Sequence, residues 1–226
     1  MRRRYELAVA YVDAVSRSGG VPIVLPHQPQ HAAAYALRCD GLMLTGGDDP
    51  AMEPFGEVTD PRARVIDPQR QAFELALLAA AVQRSEVAVL GICLGMQLMA
   101  LAAGGRLDQY MPDHLPGACD HQDDRRHAVI AEASDSAVAH LMGRPRGGDG
   151  SMVISSHRQA VTDPGRLRCI ARSPDGVIEA VDDPARPFYI GVQWHPERGG
   201  DEPLSLGLIG AFVRAARNAR STAPRR

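Results

Sequence analysis

The sequence predicts a single α/β domain over residues 1–226, built on an open, mainly parallel sheet flanked by helices. Short apolar runs alternate with longer segments of helical periodicity, which is the pattern of a parallel sheet with crossover helices. Hydrophobic residues make up 45% of the 226 positions and charged residues 23%. These proportions suit one domain with a substantial core.

The start of the chain predicts one helix and two strands. Residues 5–17 carry apolar side chains at helical spacing, and a glycine pair at 19–20 ends the helix. The members of that apolar face are Tyr5, Ala8, Val9, Val12 and Val15. VPIVLP at 21–26 predicts a buried strand, and DGLMLTGG at 40–47 predicts a strand that enters a glycine turn.

The middle of the chain predicts a helix, a strand and a second helix. The first helix is expected from Pro68 to Gln83, with Phe73, Leu77 and Leu78 facing inward. VAVLGI at 87–92 is a continuous apolar run and predicts a buried strand. The helix LGMQLMALAA follows it at once.

After Gly105 the composition changes. Residues 106–126 are rich in Asp, His, Pro and Arg and predict an irregular surface segment or lid. Strands are then expected at 127–131, 152–155, 167–171, 176–181 and 188–194. A last amphipathic helix is expected at about 203–218, with Leu204, Leu208, Phe212 and Val213 on its apolar face.

Two absences narrow the chemistry. All 25 basic residues are Arg, so Schiff-base lysines, phosphate-loop lysines and Ser-Lys dyads are excluded. The only Asn is Asn218, in the expected last helix. A residue that orients a catalytic His should therefore be a carboxylate.

Charge and apolar patterning indicate a cytoplasmic protein without a nucleic-acid or membrane partner. The formal net charge is -2, and no apolar run approaches the length of a membrane span. Glu6 and Asp13 interrupt the apolar stretch that a signal peptide would need. In that setting Cys39, Cys93, Cys119 and Cys169 are interpreted as free thiols.

The strongest local signal is GICLG at 91–95. A buried strand turns directly into a helix at this point, which is typical of a nucleophile elbow with Cys in place of Ser. Gly91 and Gly95 allow a tight turn, and the helix N-terminus favours negative charge on Cys93. The backbone N–H of Leu94 would face a developing oxyanion. The alternative is a buried Cys with a structural role only.

A cysteine nucleophile needs a base, and FYIGVQWHPE offers one. His195 follows an apolar strand, and Pro196 stiffens the turn that presents His195 together with Glu197. The carboxylate could orient the imidazole and stabilise its cation. A capped strand with a solvated His-Glu pair is the alternative, and this segment alone does not decide between the two.

Taken together, GICLGMQ and GVQWHPE resemble the paired signatures of class I glutamine amidotransferases. Further segments resemble the gamma-glutamyl hydrolase branch, the peptidase C26 group, and within it the gamma-glutamyl-gamma-aminobutyrate hydrolases. These segments are TGGDDPAMEPFGE (45–57), DP-x-R-x-x-FE (67–74), SSHRQAV (155–161) and SPDGVIEAV (173–181). The resemblance covers almost the whole chain.

The resemblance implies a flavodoxin-like three-layer sandwich and a role for each matching residue. Cys93 would be the nucleophile, His195 the base and then the acid, and Glu197 its partner. Gly47 and Leu94 would supply the oxyanion N–H groups. The remaining residues, which would hold the glutamyl moiety, are Gln97, Ser156 and His157. Asp175 and Glu179 are weaker candidates, since a turn Asp and a strand Glu explain them almost as well.

The resemblance also implies a reaction and its partners. The substrate would be a small gamma-glutamyl compound, in a context such as putrescine catabolism, and no metal or organic cofactor would be needed. His114, His121 and His127 lie near Cys119, but their spacings match no compact metal-ligand pattern. Whether the protein forms a homo-oligomer is an open question at this point. Family members usually place a strand before the first helix, so the sheet lacks that strand unless the natural chain begins upstream of Met1.

Two other functions remain open at this point. A glutaminase subunit that passes ammonia to a synthetase would keep the same triad, although TGGDDPAMEPFGE favours the free hydrolase. A non-catalytic binding protein on the same fold is the second alternative, and the presence of Cys93, His195 and Glu197 argues against it.

Overall fold

The computed structural model describes residues 4–115, 121–143, 150–199 and 202–222, with side chains described to residue 219. The helices in these ranges are α1 (Val9–Arg17), α2 (Ala32–Ala36), α3 (Pro68–Val82), α4 (Leu94–Ala102), α5 (Ala137–Met142) and α6 (Leu208–Thr222). The strands are β1 (Gly41–Leu44), β2 (Ala88–Ile92), β3 (Arg106–Asp108), β4 (Arg125–Ala131), β5 (Ser151–Ser155), β6 (Ala160–Asp163), β7 (Arg168–Arg172), β8 (Ile178–Asp182) and β9 (Tyr189–Val192).

The main sheet has the order β1-β2-β9-β8-β7-β4-β5, and β3 pairs separately with β6. The α/β class is confirmed, but the sheet is mixed. Only the β1–β2 and β2–β9 pairs are parallel, and every other pair in this sheet is antiparallel. Connections too short to contain a crossover helix join β7 to β8 and β8 to β9, so these strands pair as hairpins.

The sheet separates two hydrophobic clusters, which confirms the three-layer arrangement. On β2, Val89 belongs to the cluster under α2, α3 and α4, whereas Leu90 and Ile92 belong to the cluster under α1, α5 and α6. Successive side chains of a strand point to opposite faces, so an entirely apolar β2 is buried from both sides.

Helix α3 follows from local sequence. The side chain of Asp67 accepts a hydrogen bond from the backbone N–H of Gln69 at 2.7 Å, and Pro68 occupies the first helical position. The predicted inward residues Phe73, Leu77 and Leu78 are all buried. A capped N-terminus and one apolar stripe are enough to determine this helix.

The N-terminal region differs from the prediction. Helix α1 begins only at Val9, which is 68% exposed, and it buries Tyr11 and Ala14 instead of the predicted face. Residues 21–26 belong to no strand, and Val21 is 88% exposed, so the predicted buried strand is wrong. Pro22 and Pro26 lack the N–H that a ladder requires, and within residues 4–8 no strand precedes α1 to pair with this segment.

Candidate active site

The parallel pair β2–β9 brings the two candidate motifs, GICLG and WHPE, together. Ile92 is the register partner of Val192, and the backbone N–H of Cys93 donates to the Val192 carbonyl at 2.8 Å. The backbone N–H of His195 donates to the Ile154 carbonyl on β5, also at 2.8 Å. Both motifs therefore lie at the carboxyl ends of neighbouring strands, where α/β sheets bind ligands.

Cys93 has the backbone of a nucleophile elbow. Its φ of 52° and ψ of -105° are rare for a residue with a Cβ, and such strain concentrates at functional sites. A Cβ on Gly95 would meet the carbonyl oxygen of Leu44, so only glycine permits this approach of α4 to β1. Leu94 is the first residue of α4, so its N–H has no acceptor within the helix.

His195 and Glu197 form a buried pair. Nδ1 of His195 lies 2.7 Å from Oε1 of Glu197, and the two side chains are 2% and 1% exposed. Arg198 also approaches that carboxylate oxygen, at 3.4 Å. A pair this deeply buried does not fit the alternative of a solvated strand cap.

The neighbours of His195 favour its protonated form. Burial lowers the pKa of His195, but Cys93 and Glu197 outweigh burial and raise the pKa to about 9. The imidazole ring adjoins Cys93 at the glycine turn, because a Cβ on Gly46 would lie 2.9 Å from Cε1 of His195 and 3.6 Å from Cβ of Cys93. The arrangement can therefore hold a proton beside the sulfur.

Two residues that carried no predicted role support the glycine turn. The Tyr11 hydroxyl accepts a hydrogen bond from the Gly46 N–H at 2.9 Å. Arg70 donates to the carbonyls of Thr45 and Gly46, each at 2.9 Å, and to Glu74 at 2.7 Å. Arg70 belongs to the DP-x-R-x-x-FE pattern, which was a signal for it. Tyr11 lies on a helix whose apolar spacing did not mark it.

The turn is also packed against α4. A Cβ on Gly47 would lie 2.5 Å from Nη1 of Arg70 and 3.0 Å from Cδ2 of Leu94. Gly47 and Leu94, the two predicted oxyanion residues, are therefore neighbours across the elbow. Their backbones can approach a bound carbonyl because no side chain at Gly47 stands in the way.

A cleft of about 300 Å³ opens over Cys93. Five predicted residues line it: Gly47, Cys93, Gln97, Ser156 and His157. Charged and polar residues complete the wall, namely Asp48, Asp49, Arg64, Gln122, Asp123, Arg158 and Gln159. His195 lines an adjoining cleft that shares Gly47, Asp48 and Ser156 with the first.

Gln97 and His157 are held by contacts of their own. Nε2 of Gln97 donates to the Gln159 carbonyl and to Oε1 of Gln193, both at 3.3 Å, and Gln193 in turn donates to Sγ of Cys93 at 3.5 Å. The His157 ring donates to the Gln159 carbonyl at 2.8 Å and is 1% exposed. That ring faces the interior, so His157 can meet a ligand only through its backbone.

Outside the cleft, Cys39 and Cys169 are half-buried free thiols, whereas Cys119 lies outside the described residues. No helix in the described part of the chain is long and apolar enough to cross a bilayer.

The fold is that of class I glutamine amidotransferase domains. The glutaminase domain of a CTP synthase from Trypanosoma brucei superimposes with a TM-score of 0.68 over 96% of this chain and 89% of that one, at 14% identity. A putative GMP synthase subunit from Thermoplasma acidophilum gives a TM-score of 0.62 over 92% of this chain and 87% of that one, at 18% identity. At these identities the likeness concerns the fold alone.

Sequence comparison defines the family. The peptidase C26 pattern matches residues 2–197, and the chain belongs to the peptidase C26 family of glutamine amidotransferase-like hydrolases. A putative glutamine amidotransferase of Mycobacterium tuberculosis is 36% identical over 93% of this chain and 67% of its own length. The gamma-glutamyl-gamma-aminobutyrate hydrolase of Escherichia coli K12 is 34% identical over 92% and 85%.

Proposed function

We propose that the protein hydrolyses gamma-glutamyl amides through a thioester on Cys93. The observation that carries this proposal is the position of Cys93, which lies in a strained elbow beside the buried His195–Glu197 pair and under a polar cleft. A cysteine beside a histidine that a carboxylate orients is the arrangement required for acyl transfer.

In the first half of the reaction, the Cys93 thiolate attacks the γ-carbonyl carbon. The oxygen of the tetrahedral intermediate gains the negative charge, and the N–H groups of Gly47 and Leu94 stabilise it. His195 then gives its proton to the amine nitrogen as the C–N bond breaks. The amine leaves, and the γ-glutamyl group stays on the sulfur as a thioester.

In the second half, water replaces the amine. His195 takes one proton from the water molecule, and the oxygen of that water attacks the thioester carbon. A second tetrahedral intermediate forms. The C–S bond then breaks, glutamate leaves, and the proton stays on the pair of Cys93 and His195. Glu197 keeps the ring oriented through both halves and stabilises its cation.

The charges in the cleft suit the amino-acid end of a glutamyl group. Asp48, Asp49 and Asp123 can meet an α-ammonium group, and Arg64 and Arg158 can meet an α-carboxylate. Gln97 and the backbone at 156–157 complete the wall around that end. The relatives named gamma-glutamyl-gamma-aminobutyrate hydrolase support γ-aminobutyrate as the leaving amine.

The test compares γ-glutamyl-γ-aminobutyrate with glutamine as substrates of the purified protein, with no synthetase added. Release of glutamate and γ-aminobutyrate, with a Cys93 adduct of γ-glutamyl mass trapped by acid quench, is the expected result. Cys169→Ala serves as the matched control, because Cys169 is a free thiol remote from the elbow. Faster turnover of glutamine than of any γ-glutamyl amine would contradict the proposal and indicate a glutaminase.

A further inference from the structure

Four buried ionisable side chains converge behind the wall of the cleft. His121, His127, His157 and Glu179 each place one ligand atom within 4.8 Å of the others. Their side chains are at most 4% exposed, and Glu179 is fully buried. The proposed hydrolysis uses none of these side chains.

The outer nitrogen of each imidazole already has an acceptor. Nε2 of His121 lies 3.1 Å from Oδ2 of Asp175. Nδ1 of His127 lies 3.0 Å from the Ala128 carbonyl, and Nδ1 of His157 lies 2.8 Å from the Gln159 carbonyl. Carbonyl oxygens can only accept, so the rings of His127 and His157 carry a proton on Nδ1. Metal-binding histidines usually donate their second nitrogen in this way.

The inner atoms, by contrast, form no well-directed hydrogen bond, although the closest pair, His121 Nδ1 and Glu179 Oε1, is 3.3 Å apart. The buried atoms without a well-directed hydrogen bond are Nδ1 of His121, Nε2 of His127, Nε2 of His157 and both oxygens of Glu179. With one proton on each ring, His127 and His157 turn lone pairs toward a carboxylate oxygen. With two protons on each of the three rings, three cations would surround one carboxylate, and burying that excess charge is costly. A cation at the centre would coordinate the three inner nitrogens and one oxygen of Glu179.

The distances suit a small tetrahedral ion. Oε1 of Glu179 lies 3.3 Å from His121 Nδ1, 3.6 Å from His127 Nε2 and 3.7 Å from His157 Nε2. Zinc bonds of about 2.0–2.1 Å to nitrogen and oxygen imply tetrahedron edges of roughly 3.3 Å. The three edges that Glu179 makes with the histidines are within a few tenths of an ångström of that value, and all four ligand atoms lie within 4.8 Å of one another.

We infer that His121, His127, His157 and Glu179 form a closed tetrahedral site for a divalent transition metal, with Zn²⁺ as the ion that suits three imidazoles and one carboxylate. All four positions are filled by protein, which is typical of a structural site. The site joins His127 on β4 and Glu179 on β8 to His121 and His157, which are sequence neighbours of the cleft residues Gln122 and Ser156. Its role is to hold the His157 side of the cleft in place.

The test uses the full chain, purified without a histidine tag and without chelators. Metal analysis by mass spectrometry is expected to give about one zinc ion per chain, and chelation is expected to lower the thermal midpoint until zinc is restored. Replacement by Co²⁺ is expected to give the intense visible absorption of a tetrahedral complex. These readouts do not depend on hydrolytic activity, so they stand or fall separately from the proposed function.

Variants localise the ion. Glu179→Gln removes one ligand and is expected to weaken zinc binding by more than Asp175→Asn, which changes only the partner of His121 and should cost about 10–100-fold. His114→Gln is the matched control, because its ring belongs to the same segment but is 71% exposed and pairs with Asp108. A wild-type chain that binds no zinc at equimolar metal, an octahedral Co²⁺ spectrum, or equal zinc affinity in wild type and Glu179→Gln would overturn the inference. If Glu179→Gln does not fold, the wild-type metal content and Co²⁺ spectrum decide.

Discussion

Nδ1 of His195 lies 2.7 Å from Oε1 of Glu197, and both side chains are almost fully buried. Pro196 separates the two residues and begins a short 3₁₀ turn, so the contact is local in sequence. The position of this pair beside Cys93 is not determined locally, because it depends on the parallel pairing of β2 with β9.

Replacement of Cys93 tests the nucleophile. Cys93→Ala is expected to reduce turnover of γ-glutamyl-γ-aminobutyrate by about 10⁴-fold or more, since no other thiol lines the cleft among the described residues. Cys169→Ala and Cys39→Ala should leave the rate nearly unchanged. Initial rates of glutamate release check this, with circular dichroism confirming that each variant is folded. Activity of Cys93→Ala above a trace level would refute the assignment.

His195 and Glu197 are expected to contribute unequally. His195→Ala removes proton transfer itself, whereas Glu197→Gln keeps an oxygen that can still accept from Nδ1–H. Turnover should therefore fall far less in Glu197→Gln than in His195→Ala. Glu132→Gln, at an exposed carboxylate after β4, is the control. Equal losses of kcat in the two site variants would show that the roles are not separate.

The pKa of His195 predicts how stability depends on pH. Because the folded pKa of His195 is about 9 and its ordinary value is 6.5, His195 binds more proton in the folded chain than in the unfolded chain between these values. The resulting stabilisation is complete below pH 6.5 and is lost as pH rises through about 9. Cys93 and Glu197 face His195 directly, and Tyr11 and Arg198 lie against Glu197.

Urea unfolding at a series of pH values measures this effect. The free energy of unfolding should fall from pH 6.5 to pH 9 in the wild type. Cys93→Ala removes a group that raises the pKa of His195, so the same fall should begin at lower pH. His195→Gln should flatten the profile over this range. A wild-type profile that rises with pH would have the wrong sign.

Arg70 tests the support of the glycine turn. Arg70→Met removes the donors to the Thr45 and Gly46 carbonyls, but it also leaves the Glu74 carboxylate buried without its partner. The double variant Arg70→Met/Glu74→Gln avoids that buried charge and is therefore the one to test. We expect kcat to fall by about tenfold or more while KM changes little, because a displaced turn weakens oxyanion stabilisation. Arg84→Met/Glu86→Gln, a second Arg–Glu pair just beyond the C-terminal end of α3, is the control. A change in KM alone would assign Arg70 to substrate binding.

Local sequence was sufficient for the elements that carry the candidate site. The GICLG elbow, the capped helix α3 and the strand before His195 each depend on neighbouring residues: the glycine spacing, the Asp67 cap and a continuous apolar run. These features are encoded within a few positions, because backbone hydrogen bonds and side-chain periodicity are local. The same logic failed at VPIVLP, since an apolar run becomes a strand only where another strand pairs with it.

Tertiary structure decided which distant residues meet. By sequence, His121 and His127 formed no metal pattern, because His157 and Glu179, from later segments, complete the cluster. Tyr11 and Arg70 reach the turn at Gly46 from two different helices. The antiparallel half of the sheet likewise follows from short connections that close as hairpins. Such contacts depend on how whole elements pack, so no short segment of the sequence predicts them. The residues that perform the proposed chemistry, by contrast, can be identified from two short motifs.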